Sequence, residues 1–210
     1  MRQDNAEGSS RSVVDLSPQQ RAVLIGTVLG DGCLAKHGRH HRLHVKHKLA
    51  HRALAEFKRE VFSDFVTMPL HEFDQRLGGK RFPCVQFASR TNPVFSRWHN
   101  RFYKDGRKIV PLDIASLLCP LTVAVWLMDD GAADYAGVTF QTHSFLLEEV
   151  ELLITALRER FDLATGSRRN KSGWVIYVPA ASVKTLSDLV SPHLLEGFGY
   201  KLEPRRTRTP

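Results

Sequence analysis

Two apolar helical runs, each closed by Asp-Gly, constrain this chain more than any other feature. The first is Leu24-Ile25-Gly26-Thr27-Val28-Leu29-Gly30-Asp31-Gly32, and the second, Val123-Ala124-Val125-Trp126-Leu127-Met128-Asp129-Asp130-Gly131, lies ninety-nine positions later. Ahead of the first run, Ser17, Pro18 and Gln20 supply an N-cap hydroxyl, a proline at the first helical position and a reciprocal glutamine, which predict the helix start. Gly32 predicts its end in the left-handed conformation, with Asp31 at the last turn. Gly26 and Gly30, four apart, strip one helix face of bulk so that a second backbone can approach. The second run is the natural partner. Parallel packing of the two would bring Asp31 and Asp130 together.

Such a pair needs compensation. A carboxylate at a helix C-terminus faces the negative end of the dipole, and two side by side repel. A hard divalent cation answers both problems, because it binds carboxylate oxygen and adds positive charge. Taken singly, each Asp-Gly reads as a helix stop; the pair in matching register reads as a metal site for Mg2+ or Mn2+.

At these residues the sequence resembles the LAGLIDADG homing endonucleases, in the form that carries two motifs in one chain. The second run resembles the Trp-x-Met-Asp-Asp-Gly variant seen in second copies. The resemblance implies two pseudo-symmetric αββαββα halves, an α+β fold packed through the motif helices. It implies that Asp31 and Asp130 bind the catalytic metal, with Gly30 and Asp129 beside them in the metal set. Val125 and Asp129 depart from the small residues of the motif, so close packing is expected to rest on Ala124 and on the first helix's glycines. In domain terms the expectation is a tail over 1–16, halves over 17–111 and 112–203, and a basic tail over 204–210.

Charge agrees with that resemblance. The 210 residues carry a formal charge of +8, which calls for a polyanionic partner, with double-stranded DNA foremost. No apolar run reaches the ~18 residues of a membrane span. Cys33, Cys84 and Cys119 are odd in number and widely spaced, so neither a disulfide framework nor a zinc site is expected. The polar N-terminus lacks an apolar signal region. These readings predict a reducing intracellular compartment, cytoplasmic or organellar, without secretion.

Between the motifs, residues 33–49 read as two strands around Gly38, with Arg42, His44, Lys46 and Lys48 alternating against Leu43, Val45, His47 and Leu49. One face is basic and the other apolar. The cluster His37, His40, His41, His44, His47 and His51 has no acidic partner in sequence, so these side chains read as phosphate- or base-facing donors. Leu54, Phe57, Val61 and Phe65 mark an amphipathic helix with Arg52, Lys58 and Arg59 on its other face. Strands over 69–77 and 82–90 follow, with Gln86 and Arg90 outward, then a helix over 93–104 with Phe95, Trp98 and Phe102 as core.

The second half repeats the order. A strand over 138–143 turns Thr139, Gln141 and His143 outward; Ser144 is expected to cap a helix carrying Leu147, Val150, Ile154, Leu157 and Phe161. A hairpin over 164–179 carries Arg168, Arg169 and Lys171, and a helix runs over 181–189. DNA contacts are expected from these outward residues together with Lys36, Arg39, Arg76 and Arg81. The resemblance adds Lys108, in Lys-x-x-Pro, and Lys201 as lysines near the reaction centre. Gln141 is a candidate for orienting solvent, and His44 for the equivalent place in the first half.

The function expected is a metal-dependent endonuclease of intron homing that cuts both strands of a long asymmetric DNA site as a monomer, leaving the short 3′ overhangs the resemblance implies. The alternatives are a maturase that binds intron RNA and a non-catalytic DNA-binding regulator on the same scaffold.

Overall fold

The computed structural model describes residues 15–203. The expected tails over 1–14 and 204–210 lie outside the described residues. Leu16, expected in the N-terminal tail, is buried in the core, and Asp15 pairs with Arg97.

The first half runs α1 (Pro18–Leu29), β1 (Cys33–His37), β2 (His40–Lys48), α2 (Arg52–Val61), β3 (His71–Leu77), β4 (Lys80–Ala88) and α3 (Pro93–Phe102). A connecting segment holds the two-residue strands β5 (Tyr103–Lys104) and β6 (Arg107–Lys108) and the short helix α4 (Ile114–Leu117). The second half runs α5 (Pro120–Asp130), β7 (Gly131–Ala133), β8 (Val138–Gln141), α6 (Leu147–Phe161), β9 (Gly166–Asn170), β10 (Gly173–Val178) and α7 (Ala180–Val190). Each half is αββαββα. The two four-stranded antiparallel sheets share one topology, β1-β2-β4-β3 and β7-β8-β10-β9.

α1 begins as its sequence dictates. Ser17 Oγ accepts from the Gln20 N–H, Gln20 Oε1 accepts from the Ser17 N–H, and Pro18 occupies the first turn. Its end differs from expectation. The helix stops at Leu29, and Gly30 leaves the helical region at φ −98°, ψ −137°. Gly32 does not adopt a positive φ; it is needed for space, since a Cβ there would lie 2.3 Å from Thr27 Cγ2.

α1 and α5 pack in parallel through the glycine face. A Cβ on Gly26 would meet the Thr122 carbonyl oxygen at 2.6 Å, and one on Gly30 would meet Asp129 Cβ at 2.5 Å. The close approach is therefore one-sided: the first helix supplies the glycines, while Val125 and Asp129 of the second fill the space. Ala124, expected to share in the contact, is fully buried, and the atoms nearest the two glycines belong to Thr122, Val125 and Asp129. Around the pair, Val123, Trp126, Leu127 and Met128 are fully buried, and each such side chain contributes about 1.5–3 kcal/mol.

Three local expectations are corrected. Ser144 does not cap α6; the helix begins at Leu147, and Glu149 reaches back to accept from the Leu146 N–H while it holds Arg107 through both carboxylate oxygens. The helix expected to reach Lys104 ends at Phe102, where the chain turns into β5. Lys58, placed on the solvent face of α2 by its charge, is fully buried, because burial follows Leu54, Lys58 and Phe62 at four-residue spacing.

Candidate active site

Asp31 and Asp130 line one depression at the C-terminal ends of α1 and α5, together with Lys48, His51, Tyr200 and Lys201. Their environments differ. Burial, reinforced by the charges of Asp31 and Asp129, pushes the Asp130 carboxyl up to about 7. Burial also acts upward on Asp31, but His47 beside it and the charges of Lys58 and Lys201 outweigh this and hold its pKa below the usual value. Its side chain remains 49% exposed. One carboxylate is thus ionised and accessible, and its neighbour resists ionisation until more positive charge arrives.

The two lysines occupy equivalent places. Lys108 Nζ donates to the Gly30 carbonyl at 2.8 Å, and Lys201 Nζ donates to the carbonyls of Met128 at 2.6 Å and Asp129 at 3.1 Å. Gly30 and Asp129 are the residues that precede the terminal aspartate of each motif. Burial lowers the pKa of both lysines, with the nearby aspartates opposing the shift.

A network absent from the sequence-based expectation lies beneath. Lys58 Nζ donates to both carboxylate oxygens of Asp129 at 2.6 and 2.7 Å, and both side chains are fully buried. An ammonium only donates, so His47 Nε2, 3.3 Å away, accepts from Lys58 and its Nδ1–H faces Asp31 Oδ2 at 3.7 Å. His47 is 4% exposed and lies on the core face of β2, as its place in the alternation implied and contrary to its reading as a phosphate- or base-facing donor. Donor atoms of Asp31, His47 and Asp129 fall within 4.8 Å of one another, a spacing that suits a cation. The Asp129 carboxylate, expected in the metal set, is engaged by the Lys58 ammonium and also accepts from the Asp31 N–H, while its backbone carbonyl accepts from Lys201.

Strand register decides which basic residues lie on the sheet face turned away from the core, the face expected to form the DNA groove. Arg42, His44, Lys46, Lys48 and Gln86 share the β2–β4 face opposite the buried Leu43, Val45, Val85 and Phe87. Lys46 Nζ also contacts Gln75 on this face. In the second sheet Thr139 and Gln141 share the corresponding face with Tyr177, over whose ring Arg168 stacks at 3.1 Å. His143, exposed beyond β8, bonds Asn170, and Lys171 is exposed at the hairpin tip. Four expected DNA contacts fall on the other face. Lys36 pairs with His41, Arg76 with Arg81, and Arg169 with Trp174, all in register with inward positions. Arg39 sits in the β1–β2 turn, and Arg90 is anchored to the Asp64 carbonyl.

Register also corrects the equivalence of His44 and Gln141. Cys33 and Ala132, each two residues past its motif aspartate, pair with His44 and Thr139. His44 therefore corresponds to Thr139, Lys46 to Gln141 and His47 to Thr142.

With the site so defined, residues 21–186 match the family model described as the LAGLIDADG DNA endonuclease family. The chain belongs to the LAGLIDADG DNA endonuclease family. A similar relative is the probable intron-encoded endonuclease 1 of Wickerhamomyces canadensis, 29% identical over 89% of this chain and 85% of its own length. The cytochrome b mRNA maturase bI2 of Debaryomyces hansenii is 25% identical over 89% of this chain and 74% of its own. Among solved structures, the homing endonuclease I-WcaI bound to its DNA recognition sequence superposes with a TM-score of 0.85 at 28% identity, covering 90% of this chain and 88% of that one. The LAGLIDADG fold thus places both motif aspartates at the helix ends, and no helix among the described residues is long and apolar enough to cross a membrane.

Sequence reasoning missed His47, Lys58, His51 and Tyr200 as parts of this centre. One signal was present for Lys58: a charged residue in an apolar i, i+4 row is buried only with a partner. His51 and Tyr200 meet across the halves at 3.3 Å, and nothing local marks that contact.

Proposed function

We propose that this chain is a site-specific endonuclease that uses a divalent cation, Mg2+ or Mn2+, to cut both strands of a long asymmetric DNA target. The observation that carries this is the pair of motif aspartates at the ends of parallel helices, lining one depression, one accessible and held below its usual pKa, the other raised to about 7 by burial and by the charges of Asp31 and Asp129. The donor set fits a hard cation: the carboxylates of Asp31 and Asp130 would hold it, with the Gly30 and Asp129 carbonyl oxygens, each retaining a lone pair beside its lysine, available to complete the shell. When bound, the cation supplies charge that activates water and offsets the developing negative charge of phosphodiester hydrolysis.

The chain's own residues do the remainder. Lys108 and Lys201, already near the helix ends, donate to solvent or to the leaving oxygen as charge develops. Gln141 orients solvent in the second half, and Lys46 holds the matching place in the first. Arg42, His44, Gln86, Thr139 and Arg168 read base edges and phosphates from the sheet faces. Because these outward residues differ between the halves, the target is asymmetric.

The test is selection of cleaved duplexes from a random library, followed by kinetics on the recovered site. Asp31→Asn and Asp130→Asn each add no bulk and remove a charge; cleavage should fall by at least ~1000-fold, about 4 kcal/mol of barrier, with DNA binding retained. Near-normal turnover by either variant, or cutting in EDTA, would overturn the assignment. The similarity to a maturase supports a second reading, intron RNA binding, which tight RNA affinity without DNA cleavage would favour.

A further inference from the structure

The polar network beneath the site joins Lys58 and His47 of the first half to Asp129 of the second, and it has no pseudo-symmetric copy among the described residues. Asp129 corresponds to Gly30 in the other motif, which has no side chain, and His47 corresponds to Thr142, whose hydroxyl is buried and committed to the Trp174 carbonyl at 2.8 Å. α2 begins five residues after His47 and α6 five residues after Thr142; Lys58 is the seventh residue of the one and Leu153 the seventh of the other. Leu153 is fully buried among apolar side chains. None of the three members therefore has a counterpart that could join such a network: one is a glycine, one a leucine, and the Thr142 hydroxyl is already committed.

The asymmetry reaches the motif aspartates through the backbone. α5 continues through Asp130, whose N–H lies within the helix, whereas α1 ends at Leu29 and leaves the Asp31 N–H outside it. The acceptor for that N–H is Asp129 Oδ2, at 3.4 Å, a weak contact longer than the usual N–H···O bond. Gly30 is what lets Asp129 reach this point. Asp31 is thus held from below by Asp129 and beside its carboxylate by His47, and Lys58 fixes both.

The geometry points to Lys58, His47 and Asp129 as positioning residues for Asp31 alone, so that they set the rate at which one DNA strand is cut and leave the other strand's rate to Asp130 and its lysine. This rests on the endonuclease reading above. Groups that orient a metal ligand without touching the ion act this way in general, and their loss weakens metal affinity or activity by about 10- to 100-fold.

Lys58→Met alone would strand the buried Asp129 charge and unfold the chain for unrelated reasons. The informative variant is Lys58→Met with Asp129→Ala, which removes both charges together; Leu153→Met, at the matching place in α6, is the control. Each is assayed with Mg2+ on a duplex labelled separately on its two strands, alongside melting temperature and an Mn2+ binding isotherm of the DNA-free protein. In the double variant one strand should be cut about 10- to 100-fold more slowly and nicked duplex should accumulate, while Mn2+ affinity falls about tenfold. Leu153→Met should leave the strand ratio unchanged. Equal slowing of both strands, no slowing of either, or an unaltered Mn2+ isotherm would overturn the positioning role. A wild-type protein that cuts neither strand would instead overturn the endonuclease reading, and the isotherm would still test the hold on Asp31.

Discussion

Asp31 and Asp130 carry the same side chain at the same place in their motifs, yet burial and neighbours separate them. Asp130, raised from 3.8 to about 7, is protonated through the mildly acidic range, and a cation bound there would have to displace that proton. Metal affinity should therefore rise with pH, by up to about tenfold per unit below pH 7, and level off above it. Isothermal titration with Mg2+ in buffers of different ionisation enthalpy checks this, since proton release should appear at pH 6 and vanish by pH 8. An affinity independent of pH between 5 and 8 would show that Asp130 gives up no proton when the ion binds. Tyr103, whose burial carries it to about 12 while it accepts from the Leu34 N–H, takes no part in that titration.

At the level of elements, the parallel pair α1 and α5 depends on glycine where a side chain would strike backbone. Gly26→Ala would push a methyl into the Thr122 carbonyl, an atom fixed by its helix, and should cost about 1–3 kcal/mol in urea unfolding. Gly166→Ala meets nothing within 4 Å and should stay within about 0.5 kcal/mol of wild type. The sheet faces make a second, independent prediction. Lys46→Ala and Arg168→Ala, on the groove face, should each weaken DNA binding and flatten the salt dependence by about 0.9 in the log–log slope. Arg81→Ala, on the other face beside Asp74, should leave the slope nearly unchanged. Fluorescence anisotropy across a salt series separates these, and equal effects at Arg81 and Lys46 would mean that the face assignment from register is wrong.

For the whole molecule, one chain holds both motif helices, and each is buried against the other. No second copy is needed to complete the centre. The charge of +8 further opposes self-association in the absence of DNA. Cleavage rate should scale linearly with enzyme concentration, and light scattering should give the mass of a single 23.8 kDa chain. A second-order dependence, or an obligate dimer, would mean that Asp31 and Asp130 do not act within one chain.

The sequence by itself determined what depends on near neighbours. Ser17 and Gln20 cap α1 because both partners lie within one turn, Arg42 to Lys48 alternate because a strand has period two, and the two Asp-Gly runs declare a repeat that only helix pairing can use. Lys108 and Lys201 were reached through resemblance and lie at matched motif carbonyls. Tertiary structure decided what depends on partners far along the chain. Lys58 is buried because Asp129, seventy-one residues away, neutralises it, and its charge alone argued for solvent. His47 turns inward to Asp31; its place on the apolar side of the β2 alternation allowed this, but its partners lie outside that strand. Arg76 and Arg81 lost the groove face to register, which a hairpin sequence fixes only once its turn and its core face are both known. Period and capping are local energies that a short segment carries within itself; the burial of a charge is favourable only when a distant, opposite charge arrives in the same place, and only the folded chain brings it there.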